Sequence, residues 1–122
     1  MIQDRTQLVV ADNTGAKKIA SFKVFRGKTK KYASLGDTII ASIKVAKPHG
    51  MVKKGQVIKA VIVRQKFPYK RKDGTVIRFD DNAAVIVDDD NNPKGTKIIG
   101  PIAKEIRLRG YNKIVSLAKE VL

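Results

Sequence analysis

The chain of 122 residues contains no cysteine and no tryptophan, and His49 is its single histidine. Without cysteine, neither a disulfide framework nor a thiol nucleophile is possible, and one histidine cannot form the histidine cluster of a zinc site. The longest uninterrupted apolar run, Ala83–Val87, has five residues, whereas a membrane span needs about 20. The N-terminus lacks the basic and apolar segments of a secretory signal. We therefore expect one cytoplasmic domain, 1–122, with no membrane partner, no metal and no cofactor.

Acidic residues are scarce: 11 Asp and Glu stand against 26 Lys and Arg, which gives a formal net charge of +15 at pH 7. No acid occurs in three stretches rich in cations, 17–31, 44–59 and 64–72, whereas six of the 11 acids lie within 73–90. Like charges concentrated in this way repel one another in the free protein, unless a polyanion compensates them. This distribution predicts a cationic surface, broken by one acidic patch, that binds nucleic acid. For any single run, a merely solvated face is the alternative.

Apolar residues mostly alternate with polar ones at a period of two, which predicts short, half-buried strands. The pattern covers residues 8–10, 20–24, 38–45, 57–66, 75–79 and 83–87. Within the fourth segment, Ala60–Val63 is apolar on both faces, which is typical of a central strand that is covered on both sides. Residues 72–75 predict a tight hairpin turn, because Gly74 accepts a positive φ. Short strands at even spacing predict a small closed β-barrel in a mainly β fold.

The last quarter of the chain predicts two short C-terminal helices instead. Pro101 can start the first helix, since its missing N–H would be unpaired in the first turn, and Gly110 can end it. Asn112 can cap the second helix. The apolar residues at helical spacing after this cap are Ile114, Leu117, Ala118 and Val121. We expect this stripe to pack into the core rather than to dock a partner.

Templates for catalysis fail on this sequence. No glycine-rich phosphate loop occurs. The acidic stretch 88–92 resembles a calcium loop, but Pro93 stands where the loop needs glycine and Ile99 where it needs glutamate. His49 lies in a turn between basic segments, where a solvated or phosphate-facing role is expected. With no acid–base pair near the cations, we predict that the protein is not an enzyme.

The segment 64–72 interleaves Phe67 and Tyr69 with five cations. Cations neutralise phosphates, and an exposed aromatic ring that stacks on an unpaired base contributes about 1–3 kcal/mol. The alternative is that both rings pack the loop onto the barrel. Because aromatic residues make up only 6% of the chain, we expect recognition of the shape and phosphates of folded, mostly double-helical RNA. Residues 27–31 are expected to form a flexible basic hairpin tip that enters an RNA groove.

The candidate phosphate contacts are basic side chains of these three runs. They are Lys17, Lys18, Lys23, Arg26, Lys28, Lys30, Lys31, Lys44, Lys53, Lys54, Arg64, Lys66, Lys70, Arg71 and Lys72. Neutralisation of phosphates releases counterions, so RNA affinity should fall steeply with salt. A free-standing nucleic-acid-binding barrel is the alternative function, and the scarcity of aromatic residues argues against it.

One spaced pattern is specific to a family. It reads Ala60-Val61-Ile62-Val63, nine residues, Asp73-Gly74, four residues, Phe79, two residues, Asn82, two residues, Val85-Ile86. Further matching segments are 1–3, 10–16, 52–55, and 95–97 followed by Gly100-Pro101. By these motifs the chain resembles the family of bacterial large-subunit ribosomal protein fourteen over essentially its whole length. It departs from the family's usual residues at Arg26, Ile99 and Lys119.

The resemblance implies a five-stranded β-barrel with a small C-terminal helical part, bound as a structural constituent to large-subunit rRNA. It also implies a place facing the small subunit, with two bridges to small-subunit rRNA. Neighbouring large-subunit proteins three and nineteen are expected partners. A ribosome-silencing factor docks on members of the family and blocks subunit joining. By motif position, its docking residues here would be Thr96, Lys97 and Lys113.

Overall fold

The computed structural model describes residue 2 and residues 6–24 and 32–122 of the chain, with the backbone alone for Lys23 and Val24. The strands are β1 (Gln7–Val10), β2 (Ala16–Val24), β3 (Thr38–Ala46), β4 (Val57–Arg64), β5 (Tyr69–Lys70), β6 (Val76–Ile77) and β7 (Ala83–Val87). Two helices follow, α1 (Glu105–Leu108) and α2 (Asn112–Leu117). Within the described residues, no helix is long and apolar enough to cross a membrane.

Five strands, β1, β2, β3, β4 and β7, form a closed barrel in that order. Neighbouring strands are antiparallel except at the closing seam, where β1 runs parallel to β7 through Val9 opposite Ala83 and Val10 opposite Ala84. Irregularities in register interrupt the ladder between β2 and β3. Such bulges increase the local twist and bend a strand, which a barrel this small requires. The five-stranded barrel with two short helices confirms the expected fold class.

Alternate side chains of the barrel strands point inward and fill the interior. The largest fully buried ones on these strands are Leu8, Ile19, Ile39, Ile43, Ile62 and Ile86. Burying each such side chain stabilises the fold by about 1.5–3 kcal/mol. The alternating pattern of the sequence identified Ile39 and Ile43 of β3 as core residues, because side chains alternate between faces along a strand. On β2 it gave the wrong face, since Phe22 is 47% exposed and Ser21 is buried.

A second apolar cluster lies outside the barrel, against the other face of β4 and β7. It includes Val61 of β4 and Val85 of β7, together with Ile102, Ile106 and Ile114 of the C-terminal part. Both faces of β4 are therefore covered, as its doubly apolar centre predicted. The C-terminal part covers one side of the barrel, and cationic side chains on β2 and β3 remain exposed elsewhere.

The strand expected over residues 75–79 is reduced to Val76–Ile77, and it is not part of the barrel. It pairs with β5 as a separate two-stranded hairpin. The predicted turn is present, since Gly74 has a φ of +90° and the N–H of Arg71 donates to the carbonyl oxygen of Thr75 at 2.8 Å. The strand stops early because Phe79 turns into the barrel core, while its N–H donates to the carbonyl oxygen of Gln65.

The first C-terminal helix begins at Glu105, so the start expected at Pro101 is wrong. Ile102 is extended instead, because it forms an isolated parallel bridge with Val121. The predicted end is confirmed, since Gly110 follows the helix with a φ of +91°.

The second helix begins at Asn112 itself, so the cap expected from Asn112 is wrong. Tyr111 stands before the helix, and no side chain caps it. It ends at Leu117, because Ala118 is extended with ψ of 139°. Val121 therefore lies outside the helix, which corrects the expected stripe. Ile114 is buried as predicted, while Leu117 and Ala118 are partly buried against the outer cluster.

Candidate nucleic-acid interface

Lysines from two separate basic runs meet on the neighbouring strands β2 and β3. Lys17 and Lys18 on β2 and Lys44 on β3 are exposed, and Lys18 lies opposite Val45 in the ladder. Lys47, exposed just beyond β3, extends this group and is not among the candidates taken from the sequence. Its position in the acid-free run 44–59 was the signal for it. The backbones of these four exposed lysines lie at the same end of the β2–β3 pair.

The loop that carries Lys47 is held against the turn between β1 and β2. The N–H of Met51 donates to the carbonyl oxygen of Thr14 at 2.7 Å. A Cβ on Gly15 would lie only 2.7 Å from Cα of Gly50, and Gly15 has a φ of +103°. Glycine is thus required where the two backbones approach. His49 is exposed in this loop, as expected.

A groove of about 220 Å³ brings the first basic run to the third. Lys18 and Lys66 both line it, and the acid Asp81 lies in the same groove. The other lining residues are Gln7, Leu8, Val9 and Asn82. The N–H of Lys66 donates to Oδ1 of Asn82 at 2.8 Å, which fixes the backbone beside the groove. The cations of 17–31 and 64–72 are therefore neighbours in space although they are distant in sequence.

Lys53 and Lys54 are exposed in the turn that joins β3 to β4. Two hydrogen bonds hold this turn. The N–H of Lys53 donates to the side-chain Oε1 of Gln56 at 3.1 Å, and the N–H of Gly55 donates to the carbonyl oxygen of Ile43 at 2.8 Å. Two adjacent cations on a fixed turn lose less conformational freedom when they contact phosphates.

The two aromatic rings of the third basic run have different environments. Phe67 is 52% exposed, whereas Tyr69 is partly buried and packs against the barrel core. Phe67 is therefore free to stack on a base, and Tyr69 anchors the hairpin. Lys70 and Lys72, on either side of Arg71, are exposed.

Arg64 is buried and does not reach solvent as a phosphate contact would. Its Nη1 donates to the carbonyl oxygens of Ile99 at 3.1 Å and Pro101 at 3.3 Å. Its Nε lies 3.0 Å from Oδ1 of Asp81. The guanidinium group thus ties the end of β4 to the segment before α1, and Arg64 leaves the set of candidate phosphate contacts.

Arg71 is also engaged inside the protein. Its Nε and Nη2 donate to the two carboxylate oxygens of Glu105, each at 3.0 Å, and Nη2 also donates to the main-chain oxygen of Leu122. This bidentate pair connects the β5–β6 hairpin to α1. Arg71 leaves the candidate set for the same reason as Arg64.

The remaining candidates of the first run fall outside the described structure. These are Arg26, Lys28, Lys30 and Lys31, with the predicted hairpin tip 27–31, and the side chain of Lys23.

The acidic stretch after β7 forms a turn. Oδ1 of Asp88 accepts hydrogen bonds from the N–H groups of Asp90 at 2.9 Å and Asn92 at 3.0 Å. Asn91 adopts a φ of 64°, which asparagine tolerates in turns. No group of three or more potential ligand residues that could hold a metal ion occurs within residues 2, 6–24 and 32–122.

Ion pairs between described residues are made by arginines. They join Arg64 to Asp81, Arg71 to Glu105 and Arg109 to Asp37. Over the same part of the chain, the exposed candidate lysines take part in none of them. Lysine ammonium groups that are not held in ion pairs are available to a polyanion.

Thr96 and Lys97 are exposed in the segment between β7 and α1, and Asn13 organises this segment. Oδ1 of Asn13 accepts hydrogen bonds from the N–H groups of Thr96 at 2.8 Å and Lys97 at 3.2 Å, and its Nδ2 donates to Oγ1 of Thr96 at 2.9 Å. Asn13 is a residue that sequence reasoning missed, because its partners are more than 80 positions away.

Lys113 is exposed in the first turn of α2. The residues next in sequence to Lys97 and Lys113, Ile98 and Ile114, belong to the same outer apolar cluster. The three candidate docking residues therefore lie on elements that share one packed support.

The barrel, its exposed lysines and its C-terminal cover are thus formed by residues within 6–24 and 32–122. The model of the family described as ribosomal protein L14p/L23e matches residues 1–122, the full length of the sequence. This match confirms the resemblance read from the spaced motifs and argues against a free-standing nucleic-acid-binding module. The chain belongs to the L14p/L23e family of ribosomal proteins.

Proposed function

We propose that the protein holds large-subunit rRNA through its exposed lysines and bridges it to small-subunit rRNA. As a member of its family, the chain is a structural constituent of the large ribosomal subunit and is located in the cytoplasm within the ribosome. The observation that supports rRNA binding is a group of exposed lysines on the strands and turns of the barrel. They come from the three basic runs that contain no acidic residue. The described members of the proposed contact set are Lys17, Lys18, Lys44, Lys47, Lys53, Lys54, Lys66, Lys70 and Lys72.

The family resemblance supports the remaining partners. Two bridges to small-subunit rRNA and contacts with large-subunit proteins three and nineteen belong to this proposal. The basic residues of 23–31 that lie outside the described structure, Lys23, Arg26, Lys28, Lys30 and Lys31, are proposed as further rRNA contacts by their charge alone.

The salt dependence of rRNA binding tests the proposal. Each phosphate that is neutralised on a duplex contributes about −0.9 to the slope of log affinity against log salt concentration. We expect a steep slope for the wild type, and a slope less steep by about 1–2 for the double variant Lys53→Ala, Lys54→Ala. The measurement is binding to a large-subunit rRNA fragment at several salt concentrations.

Lys119→Ala is the matched control for this measurement, because it removes an exposed lysine outside the proposed contact set. Its slope should equal that of the wild type. A wild-type affinity that does not change with salt would refute the proposed electrostatic contact.

The ribosome-silencing factor docks, in this proposal, on Thr96, Lys97 and Lys113. We expect Lys97→Glu to weaken binding of the factor about tenfold, since a reversed charge at a complementary interface repels the partner. Binding of rRNA should stay within about twofold, because Lys97 is outside the proposed rRNA contacts. Lys119→Glu, the same charge reversal on another exposed lysine, should leave both affinities unchanged. Equal losses of both affinities for Lys97→Glu would show that the two surfaces are not separate.

A further inference from the structure

A groove of about 320 Å³ lies between the β5–β6 hairpin and helix α1. The hairpin side contributes Tyr69, Lys70 and Lys72, and the other side contributes Lys104 and Leu108. Its volume is at the lower end of the range of about 300–1,000 Å³ for clefts that bind small organic ligands. The groove is therefore large enough for one small planar group.

Part of the groove is lined by apolar side-chain surface that is exposed to solvent. Leu108 is 81% exposed, which makes it the most exposed large apolar side chain in the described part of the chain. Tyr69, which packs against the barrel core, also lines the groove. Apolar surface in contact with water is unfavourable, so a flat apolar group that covers Leu108 would be stabilised there.

The charged groups around this apolar surface favour an anion. Lys70, Lys72 and Lys104 are exposed, and within the described structure no ion pair or hydrogen bond engages their ammonium groups. They stand on both sides of the groove, two on the hairpin and one beside α1. A ligand with negative charge on either side of an apolar centre complements this arrangement.

Two carboxylates also line the groove, and they differ in their partners. Glu105 is held by the bidentate pair with Arg71. Oδ1 of Asp73 accepts hydrogen bonds from the hydroxyl and the N–H of Thr75, at 2.6 and 3.0 Å. These two bonds, with the nearby positive charges of Lys104 and Arg71, lower the pKa of Asp73. Glu105 is neutralised by Arg71, whereas Asp73 stays ionised and offsets part of the charge of Lys104. Three lysines against this one exposed carboxylate leave the groove with an excess of positive charge.

The groove is also held in shape before any ligand arrives. The Arg71–Glu105 pair joins one wall to the other, and Arg71 reaches the main-chain oxygen of Leu122 as well. A ligand that enters pays little for ordering the walls.

We propose that this groove binds one unpaired nucleotide that projects from the rRNA, with its base against Tyr69 and Leu108 and its flanking phosphates on the three lysines. The inference rests on the proposed rRNA binding, and it specifies the part of the rRNA that this groove binds. A nucleotide fits better than an acidic peptide, because it carries a flat apolar face with a phosphate on each side. Recognition of folded RNA commonly uses unpaired bases that can be splayed out of a helix.

The test uses the full-length protein and three RNA hairpins of equal length. One carries a single bulged adenosine, the second carries an abasic residue at the bulge, and the third is fully paired. The abasic probe keeps the phosphates and lacks only the base. We expect the wild type to bind the bulged probe about tenfold more tightly than the abasic probe in fluorescence anisotropy.

Two neutral substitutions separate the groove from the rest of the surface. Leu108→Gln removes apolar surface in the groove without changing charge, and it should reduce the preference for the bulged probe to within about twofold. Val76→Thr makes a similar change at an exposed apolar residue of the same hairpin that does not line the groove. This control should keep the full preference.

Several outcomes would overturn the inference. Equal wild-type affinity for the bulged and abasic probes would do so, and so would an unchanged preference for the bulged probe in Leu108→Gln. In both cases, a steep salt dependence of rRNA binding would still support the proposed function. A labelled peptide of glutamate and phenylalanine that binds in a Leu108-dependent way, without competition from the bulged probe, would show a peptide site instead. Absence of affinity for all three RNAs and for rRNA would overturn the proposed function itself.

Discussion

Replacement of Arg64 by methionine is expected to lower the free energy of unfolding by about 3 kcal/mol. The residue is only 8% exposed, and its guanidinium group donates to two main-chain oxygens 35 and 37 positions away. Methionine keeps the apolar stem but leaves these carbonyl oxygens and Asp81 without their cation. The measurement is urea-induced unfolding of the free protein.

The matched control is Lys66→Met, which removes an exposed cation two residues further along the chain. Its free energy of unfolding should stay within about 0.5 kcal/mol of the wild type. Gly100→Ala provides an independent check, because an added Cβ would collide with Nη1 of Arg64 and Gly100 has a φ of +83°. The two changes share one contact, so the double variant should lose less stability than the sum of the single variants.

The opposite result would restore Arg64 as a phosphate contact. In that case Arg64→Met would unfold at the same urea concentration as the wild type and would bind rRNA more weakly. The prediction thus distinguishes a structural arginine from a binding one by which of two measurements changes.

The case of Arg64 shows where counting charges along a sequence fails. The doubly apolar centre of β4, Ala60–Val63, predicted a strand covered on both sides, and Arg64 is its last residue. Arg64 is buried like the strand residues before it. The main-chain oxygens that accept its hydrogen bonds, on Ile99 and Pro101, are far away in sequence. Arginine, with its planar fork of donors, is the cation that such buried sites use, whereas the exposed candidates are lysines.

The fold was predictable wherever local pattern decides it. Alternating side chains identified the barrel strands, and Gly74 and Gly110 identified a turn and a helix end by their positive φ. The pattern failed where a distant partner decides the backbone: Ile102 is extended because it pairs with Val121, and the strand 75–79 is cut short where Phe79 turns inward.

The residues of the candidate site were likewise predictable only where local sequence decides their exposure. Exposed lysines such as Lys53 and Lys54 follow from their place in an acid-free basic run, which is a local property of the sequence. The contribution of Asn13 to the Thr96–Lys97 segment and the meeting of Lys18 with Lys66 depend on barrel closure. No sequence pattern of this chain indicates either of them.

Barrel closure itself depends on a buried acid. The parallel seam between β1 and β7 has only two paired positions, and the N–H of Ala11 donates to the carbonyl oxygen of Ala84 beyond them. The next residue, Asp12, continues the seam with its side chain, because its Oδ2 accepts a hydrogen bond from the N–H of Ile86 at 3.0 Å. Its Oδ1 accepts from the hydroxyl and the N–H of Thr14, at 2.7 and 3.1 Å.

Asp12→Ala should therefore lower the free energy of unfolding by about 3–4 kcal/mol, since it leaves the N–H groups of Thr14 and Ile86 buried without acceptors. Urea-induced unfolding measures the loss. Asp89→Ala, which removes an exposed acid from the turn after β7, is the matched control and should change stability by no more than about 0.5 kcal/mol. A loss for Asp12→Ala as small as that of the control would show that water replaces the carboxylate at the seam.

The pH dependence of stability gives Asp12 a second signature. Burial raises the pKa of Asp12, and the hydrogen bonds from Thr14 and Ile86 oppose that rise without cancelling it. The folded protein thus binds the proton more tightly than the unfolded chain, whose aspartate pKa is about 3.9. The resulting stabilisation is complete below the unfolded pKa and is lost as pH rises through the folded pKa.

Asp12→Asn isolates this effect, because asparagine has a similar shape and does not titrate. As the pH is lowered from neutrality toward about 4, the stability of the wild type relative to Asp12→Asn should increase. Urea-induced unfolding of both proteins at matched pH values measures the difference, and other titrating groups cancel in it. A decrease on acidification would mean that the three donated hydrogen bonds outweigh burial, so that the seam is closed by a carboxylate that favours its charged form.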